Sequence, residues 1–216
     1  MSRKFSAAIV LSVLAAAQNK HEPVVIPAEI AADSYAIYSA ALNPPKLSHR
    51  DENQKYLVVD VTTSKPFRDP QSCVQPPPSY REGFSEIAAD YLKHENDSFR
   101  LEPKFSMSKP YEFLTEAEAN QFQKGRIVLQ TGPTNDVPKF LGAIDLIRLG
   151  NVYFNRSRTL AAVSTEAWCG GLCALDVWRI FEKKDSRWRE LNWNSCVRVS
   201  RRGAANLAEV SFEKFP

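Results

Sequence analysis

All four tryptophans of this chain fall between residues 168 and 193, inside a run of short apolar segments separated by short turns. Asn151 to Asn155 reads as a strand, Arg156-Ser157-Arg158 as a turn, and Thr159 to Thr165 as a second strand. Trp168 to Cys173 reads as a glycine-bearing loop. Leu175 to Lys183 is a third strand, Lys184-Asp185-Ser186 a turn, and Trp188 to Trp193 a fourth strand. Aromatic and β-branched runs at this spacing predict an antiparallel meander. Side chains alternate along a strand, so the tryptophans are expected to face the core and the arginines between them solvent.

The rest of the chain is helical in pattern. Pro27 to Leu42 places Ile30, Tyr35, Ile37, Tyr38 and Leu42 on one broad face, with Pro27 as a start signal and Asn43-Pro44-Pro45 as a stop. Gly83 to Asn96 predicts a second helix with Phe84, Ile87, Ala88, Tyr91 and Leu92 inward. Thr115 and Glu118 fit a capping box that opens a short helix to about Gln123. Tyr56 to Thr63 reads as a strand, and Ile127 to Gln130 as a short one. Residues 64 to 82 hold Pro66, Pro70, Pro76, Pro77 and Pro78, which predicts a long irregular loop. Helices first and strands last predict an α+β fold, with N-terminal helices packed on a C-terminal antiparallel β-meander.

The N-terminus adds a compartment. A basic start at Arg3 and Lys4 leads into thirteen apolar or small residues, Phe5 to Ala17, ending in three alanines. This is the pattern of a cleavable signal peptide over residues 1–17. A bilayer-spanning helix needs ~20 apolar residues, so the run is too short for one. The expected product is an exported protein, periplasmic or extracellular, with a single α+β domain over residues 18–216. Cleavage after Ala17 leaves 199 residues with 26 basic and 25 acidic side chains, a balance of +1. Such a balance makes no field that gathers nucleic acid or anionic lipid, so no nucleic-acid partner is expected.

Cys73, Cys169, Cys173 and Cys196 all lie in that exported part. An even count in an oxidising compartment predicts two disulfides. Of the three pairings open to four cysteines, Cys169–Cys173 with Cys73–Cys196 is favoured. The first closes a tight glycine loop, and the second ties the proline-rich loop to the C-terminal strands.

The run from Val152 to Cys196 carries a Phe-Asn turn, an apolar strand, Trp-Cys-Gly-Gly-Leu-Cys, a Trp strand, a Glu-Lys-Lys turn and a second Trp strand. In this it resembles exported bacterial proteins to which no activity is assigned. The resemblance covers about a fifth of the chain. It implies export and a Trp/Cys-rich meander, and no chemistry.

Trp168-Cys169-Gly170-Gly171-Leu172-Cys173 also resembles the redox motif of thioredoxin-like proteins. There a low-pKa thiolate at a helix N-terminus attacks a disulfide. The spacing here is Cys-x3-Cys, not Cys-x2-Cys, and the flanking β-branched and aromatic residues favour a strand from residue 174 on. Cys-x3-Cys occurs in copper-handling proteins too, where a distant His completes the site. His21, His49 and His94 lie in separate elements, and no closed zinc set or His-Glu-x-x-His is present. Neither a Gly-x-Ser-x-Gly elbow nor a phosphate-cradling glycine loop occurs. Asp60, Glu86, Asp90, Glu116 and Glu118 are the carboxylates weighed for acid–base work, without a pattern that pairs them.

Arg179, Lys183, Lys184, Arg187, Arg189, Arg198, Arg201 and Arg202 interleave with tryptophans and read as a solvated sheet face. Asn96-Asp97-Ser98 and Asn155-Arg156-Ser157 match the glycosylation sequon. With no catalytic constellation, no cofactor and no metal set, the expectation is a non-enzymatic binding or structural domain stabilised by disulfides. The alternative is a periplasmic thiol-redox or metal-handling protein using Cys169 and Cys173.

Overall fold

The computed structural model describes residues 23–43, 56–131, 143, 145–170, 173–195 and 197–200. Residues 1–17, expected to be a signal peptide, His21 and His49, and the side chains of Cys169, Cys173, Cys196 and Arg198 lie outside the described residues, as do Arg201 and Arg202.

The chain is α+β. In order, the elements are β1 (Val24–Val25), α1 (Ala28–Leu42), β2 (Leu57–Asp60), β3 (Val74–Gln75), α2 (Arg81–His94), β4 (Phe99–Arg100), β5 (Tyr111–Leu114), α3 (Glu116–Thr131), β6 (Leu146–Phe154), β7 (Leu160–Gly170), β8 (Cys173–Lys184), β9 (Arg187–Leu191), β10 (Asn194–Ser195) and β11 (Val197–Ser200). The main sheet has the order β11-β8-β7-β6-β2-β5, with β9 also on β8. From β6 on the ladders are antiparallel, but β2 runs parallel to both β5 and β6. The sheet is therefore mixed, which corrects the purely antiparallel expectation. The parallel pairs join segments far apart in sequence, so no turn signal marks them.

Both faces of the sheet are covered. Tyr35, Ile37, Tyr38 and Ala41 of α1 pack with Leu57, Val59, Val152, Phe154, Ala161, Val163 and Phe181 on one face. On the other, Phe84, Ile87 and Tyr91 of α2 meet Tyr153, Leu160, Ala162, Trp178 and Ile180. Ala119 and Phe122 of α3 cover Val58 and Leu146 on that same face. A strand buried on two sides loses its polar alternation. This explains why Leu160 to Thr165 reads as a continuous apolar run.

Three boundaries differ from the sequence expectation. α3 continues through residues 127–130, so Ile127 to Gln130 is helix and not strand. Gly125 does not stop it, since a helix tolerates an interior glycine at a modest cost. β6 begins at Leu146, not near Asn151, and carries a register shift between Leu149 and Val152. β7 runs to Gly170 and pairs it with Cys173, so Trp168 to Gly170 belong to a hairpin arm.

β8 is flanked by β7 on one edge and by β9 and β11 in succession on the other. Between those two, the chain steps away and pairs β10 with β3. That detour carries residues 192–195 onto the proline-rich loop.

Candidate functional site

The detour and the proline-rich loop together enclose an open cleft of about 600 Å3. Its base is set by a turn in which the Pro70 carbonyl accepts N–H groups from Cys73 (3.2 Å) and Val74 (2.8 Å). The Asp69 carboxylate accepts the Ser72 N–H at 2.8 Å, and this bond is the largest influence holding that carboxyl below its ordinary range. Val74 and Gln75 then pair with Ser195 and Asn194. Pro76 and Pro77 follow in extended form and lead through a single turn, Pro78–Tyr80, into α2.

Across the cleft stand Asn192, Trp193 and Asn194. The Trp193 ring is half-buried and meets Tyr80 at 5.1 Å and Phe84 at 6.0 Å between ring centres, both near edge-to-face. Tyr80 is tied in turn to β8, its hydroxyl donating to Glu182 Oε1 at 3.1 Å. Aromatic pairs of this geometry add to area burial and fix ring orientation. Arg81, in the first turn of α2, is the one charged residue lining the cleft. It is exposed and makes no ion pair with the described residues. Nothing in the sequence placed Arg81 and Trp193 on one cleft, because their shared lining depends on where β10 lands.

The sequence-weighed residues lie elsewhere. Cys73 is buried beside the cleft, at 7% exposed. Glu86 and Asp90 anchor the β6–β7 turn, accepting backbone N–H groups from Arg156 and Phe154 at 2.9 Å each. Glu118 and Thr115 form the capping box, with Thr115 N–H donating to Glu118 Oε2 at 3.0 Å. Glu116 sits beside them in the first turn of α3. His94 pairs its Nδ1 with Asp97 at 2.7 Å and faces Asp90 at 3.8 Å through Nε2.

Asp60 enters a grouping the sequence did not reveal. Arg148 reaches Asp60 at 3.6 Å and Glu166 at 3.2 Å, and Glu166 is the cross-strand partner of Asp176. These four charges form one row across the sheet, in the seam between the cores under α2 and α3. A charged residue inside an otherwise apolar strand, as at Glu166 and Asp176, was the available signal. The row runs along the sheet and lines no part of the cleft. Among the described residues, no cluster of His, Cys, Asp and Glu fits a metal ion.

The basic run of the last strands is largely engaged. Arg179 binds Glu190 at 3.0 Å, Lys183 binds Asp33 at 2.7 Å, and Arg189 approaches Asp185 at 3.9 Å. Asn155 of the second sequon is buried inside its own turn, where its Oδ1 accepts N–H groups from Thr159 and Leu160. Asn96 of the first accepts from Lys65 Nζ at 3.3 Å on the surface. No helix among the described residues is long and apolar enough to cross a membrane.

Comparison with protein-family models, with curated proteins and with solved structures returns no match for this chain.

Proposed function

We propose that this chain is an exported, disulfide-stapled binding domain without catalytic activity, and that the cleft between the proline-rich loop and the β10 detour is its binding site. The observation that carries the reading is the cleft's lining. It combines rigid rings, three side-chain amides and one arginine that has no ion partner among the described residues. A concave site with a few convergent polar groups is the usual form of a ligand pocket. The carboxylates and the histidine weighed for catalysis are spent on turns, caps and ion pairs away from it.

Residues 1–17 direct export, in keeping with the resemblance of residues 152–196 to exported bacterial proteins. The helices then serve to brace the Trp-rich meander. Cys73 pairs with Cys196, and Cys169 with Cys173. Supporting the first pair, the β10–β3 register matches Ser195 with Val74, the chain neighbours of those two cysteines. Supporting the second, Gly170 and Cys173 are paired at the end of a hairpin. A thiol-redox role is less well supported, because Cys173 opens a strand and no helix N-terminus stands there to lower a thiol pKa.

The test is a fragment screen read by amide chemical shifts on protein taken from the export compartment. Shifts gathered on residues 74–81 and 192–194 support the cleft. Shifts gathered elsewhere refute it. The same material should begin at Gln18 and show no free thiol.

A further inference from the structure

Building on that cleft as the binding site, we infer that its ligand is an acidic oligosaccharide. Every polar side chain lining it is planar: the amides of Gln75, Asn192 and Asn194 and the guanidinium of Arg81. A primary amide presents a donor and an acceptor side by side. That pattern matches two neighbouring hydroxyls on a sugar ring. The Trp193 ring is pre-set by Tyr80 and Phe84, and Pro76 and Pro77 add stiff apolar surface. Flat rings of this kind receive the C–H face of a pyranose with little loss of side-chain freedom.

The charge of the ligand follows from Arg81. Among the described residues it is the only ionised group in the lining, and it makes no ion pair with any of them. Guanidinium binds carboxylate through two parallel hydrogen bonds, which adds direction to attraction. A uronic-acid unit supplies that carboxylate on the same ring as the hydroxyls. A cationic ligand would meet repulsion here.

The experiment is calorimetric titration of the full chain with a tetramer of galacturonic acid, its neutral methyl ester, and a proline-rich decapeptide. The acidic tetramer is expected to bind at least tenfold more tightly than the ester. Arg81→Gln should lower its affinity about tenfold and erase the difference between acid and ester. Arg81→Lys should recover only part of the loss, because it restores charge without the fork. Asn192→Ala should weaken acid and ester alike. Arg81 and Asn192 are both exposed, so the variants are expected to keep the parent unfolding temperature.

No binding of the tetramer, or equal binding of acid and ester, overturns the inference. If ester or peptide binds best and Asn192→Ala weakens it, the acidic-sugar assignment fails while the cleft stands. If the tetramer binds all variants equally, it sits elsewhere, and both readings fail.

Discussion

The indole Nε1 of Trp178 donates to the backbone carbonyl of Arg68 at 3.1 Å, fastening the proline-rich loop to the centre of β8. Trp178 is 2% exposed and packs edge-on against Tyr91 at 6.0 Å. The same burial, followed by the nearby Glu95 carboxylate, pushes the Tyr91 phenol up to about 12.

Trp178→Phe keeps most of the ring volume and leaves the Arg68 carbonyl unpaired. It should cost about 0.5–1.5 kcal/mol, the net contribution of a typical hydrogen bond. Trp178→Ala should cost about 3–5 kcal/mol through the cavity it opens. Urea unfolding checks both. Limited proteolysis should also find residues 64–72 more cleavable in the Phe variant, since it alone separates the lost tether from lost volume.

Asp33 Oδ1 accepts two bonds at once, from Lys183 Nζ at 2.7 Å and Trp188 Nε1 at 2.9 Å. Burial alone would raise this carboxyl, but the bonds from Lys183 and Trp188 outweigh it and hold it below the ordinary 3.8. A depressed carboxyl adds stability above its unfolded pKa and loses it as pH falls through the folded value. Asp33→Asn should therefore cost about 1–2 kcal/mol at pH 7, the range for a charged hydrogen bond. The gap from the parent should shrink steadily below pH 3.8. A gap that stays constant down to pH 2 would show that the charge on Asp33 contributes nothing.

Gly150 sits in the irregular stretch of β6, where a Cβ would collide with Ser164 Oγ. Its carbonyl accepts the Tyr38 hydroxyl at 3.0 Å, which joins α1 to the sheet. Gly150→Ala should cost about 1–3 kcal/mol by overpacking. In a Ser164→Ala background the same change should cost less than half as much. Thermal unfolding of the four proteins in this double-mutant cycle gives the answer, and additive losses would contradict the collision.

Arg148 holds Asp60 and Glu166 together in the charged row. Arg148→Met leaves Asp60 and Glu166 facing each other without their shared cation. The expected loss is about 2–3 kcal/mol at pH 7, toward the lower end for a broken buried pair because the groups keep some solvent. Urea unfolding at pH 7 checks it, and a variant as stable as the parent would show that the row contributes nothing.

The two long N-terminal helices could be read from the chain because their apolar spacing and proline punctuation are local. α3 was read too short, since Ile127 and Val128 carry strand preference that its tertiary setting overrides. The hairpins of the last third were visible in the turns at Arg158, Asp185 and Ser186, each of which adopts a positive φ. What stayed hidden was every relationship between distant segments. The parallel pairs of β2, the row from Asp60 to Asp176 and the cleft that Arg81 and Trp193 both line each depend on placement. Only Cys73 and Cys196 hinted that the proline-rich loop and the last strands belong together.

β2 lies between β5 and β6 in the sheet, and both partners follow it in the chain. Its ladders cannot close until segments far downstream have been made. Pairings of such long range slow folding, because the loop must be closed before any contact rewards it. β2 therefore waits as an unpaired apolar strand while the chain is made, and the mixed half of the sheet is completed only once β6 exists.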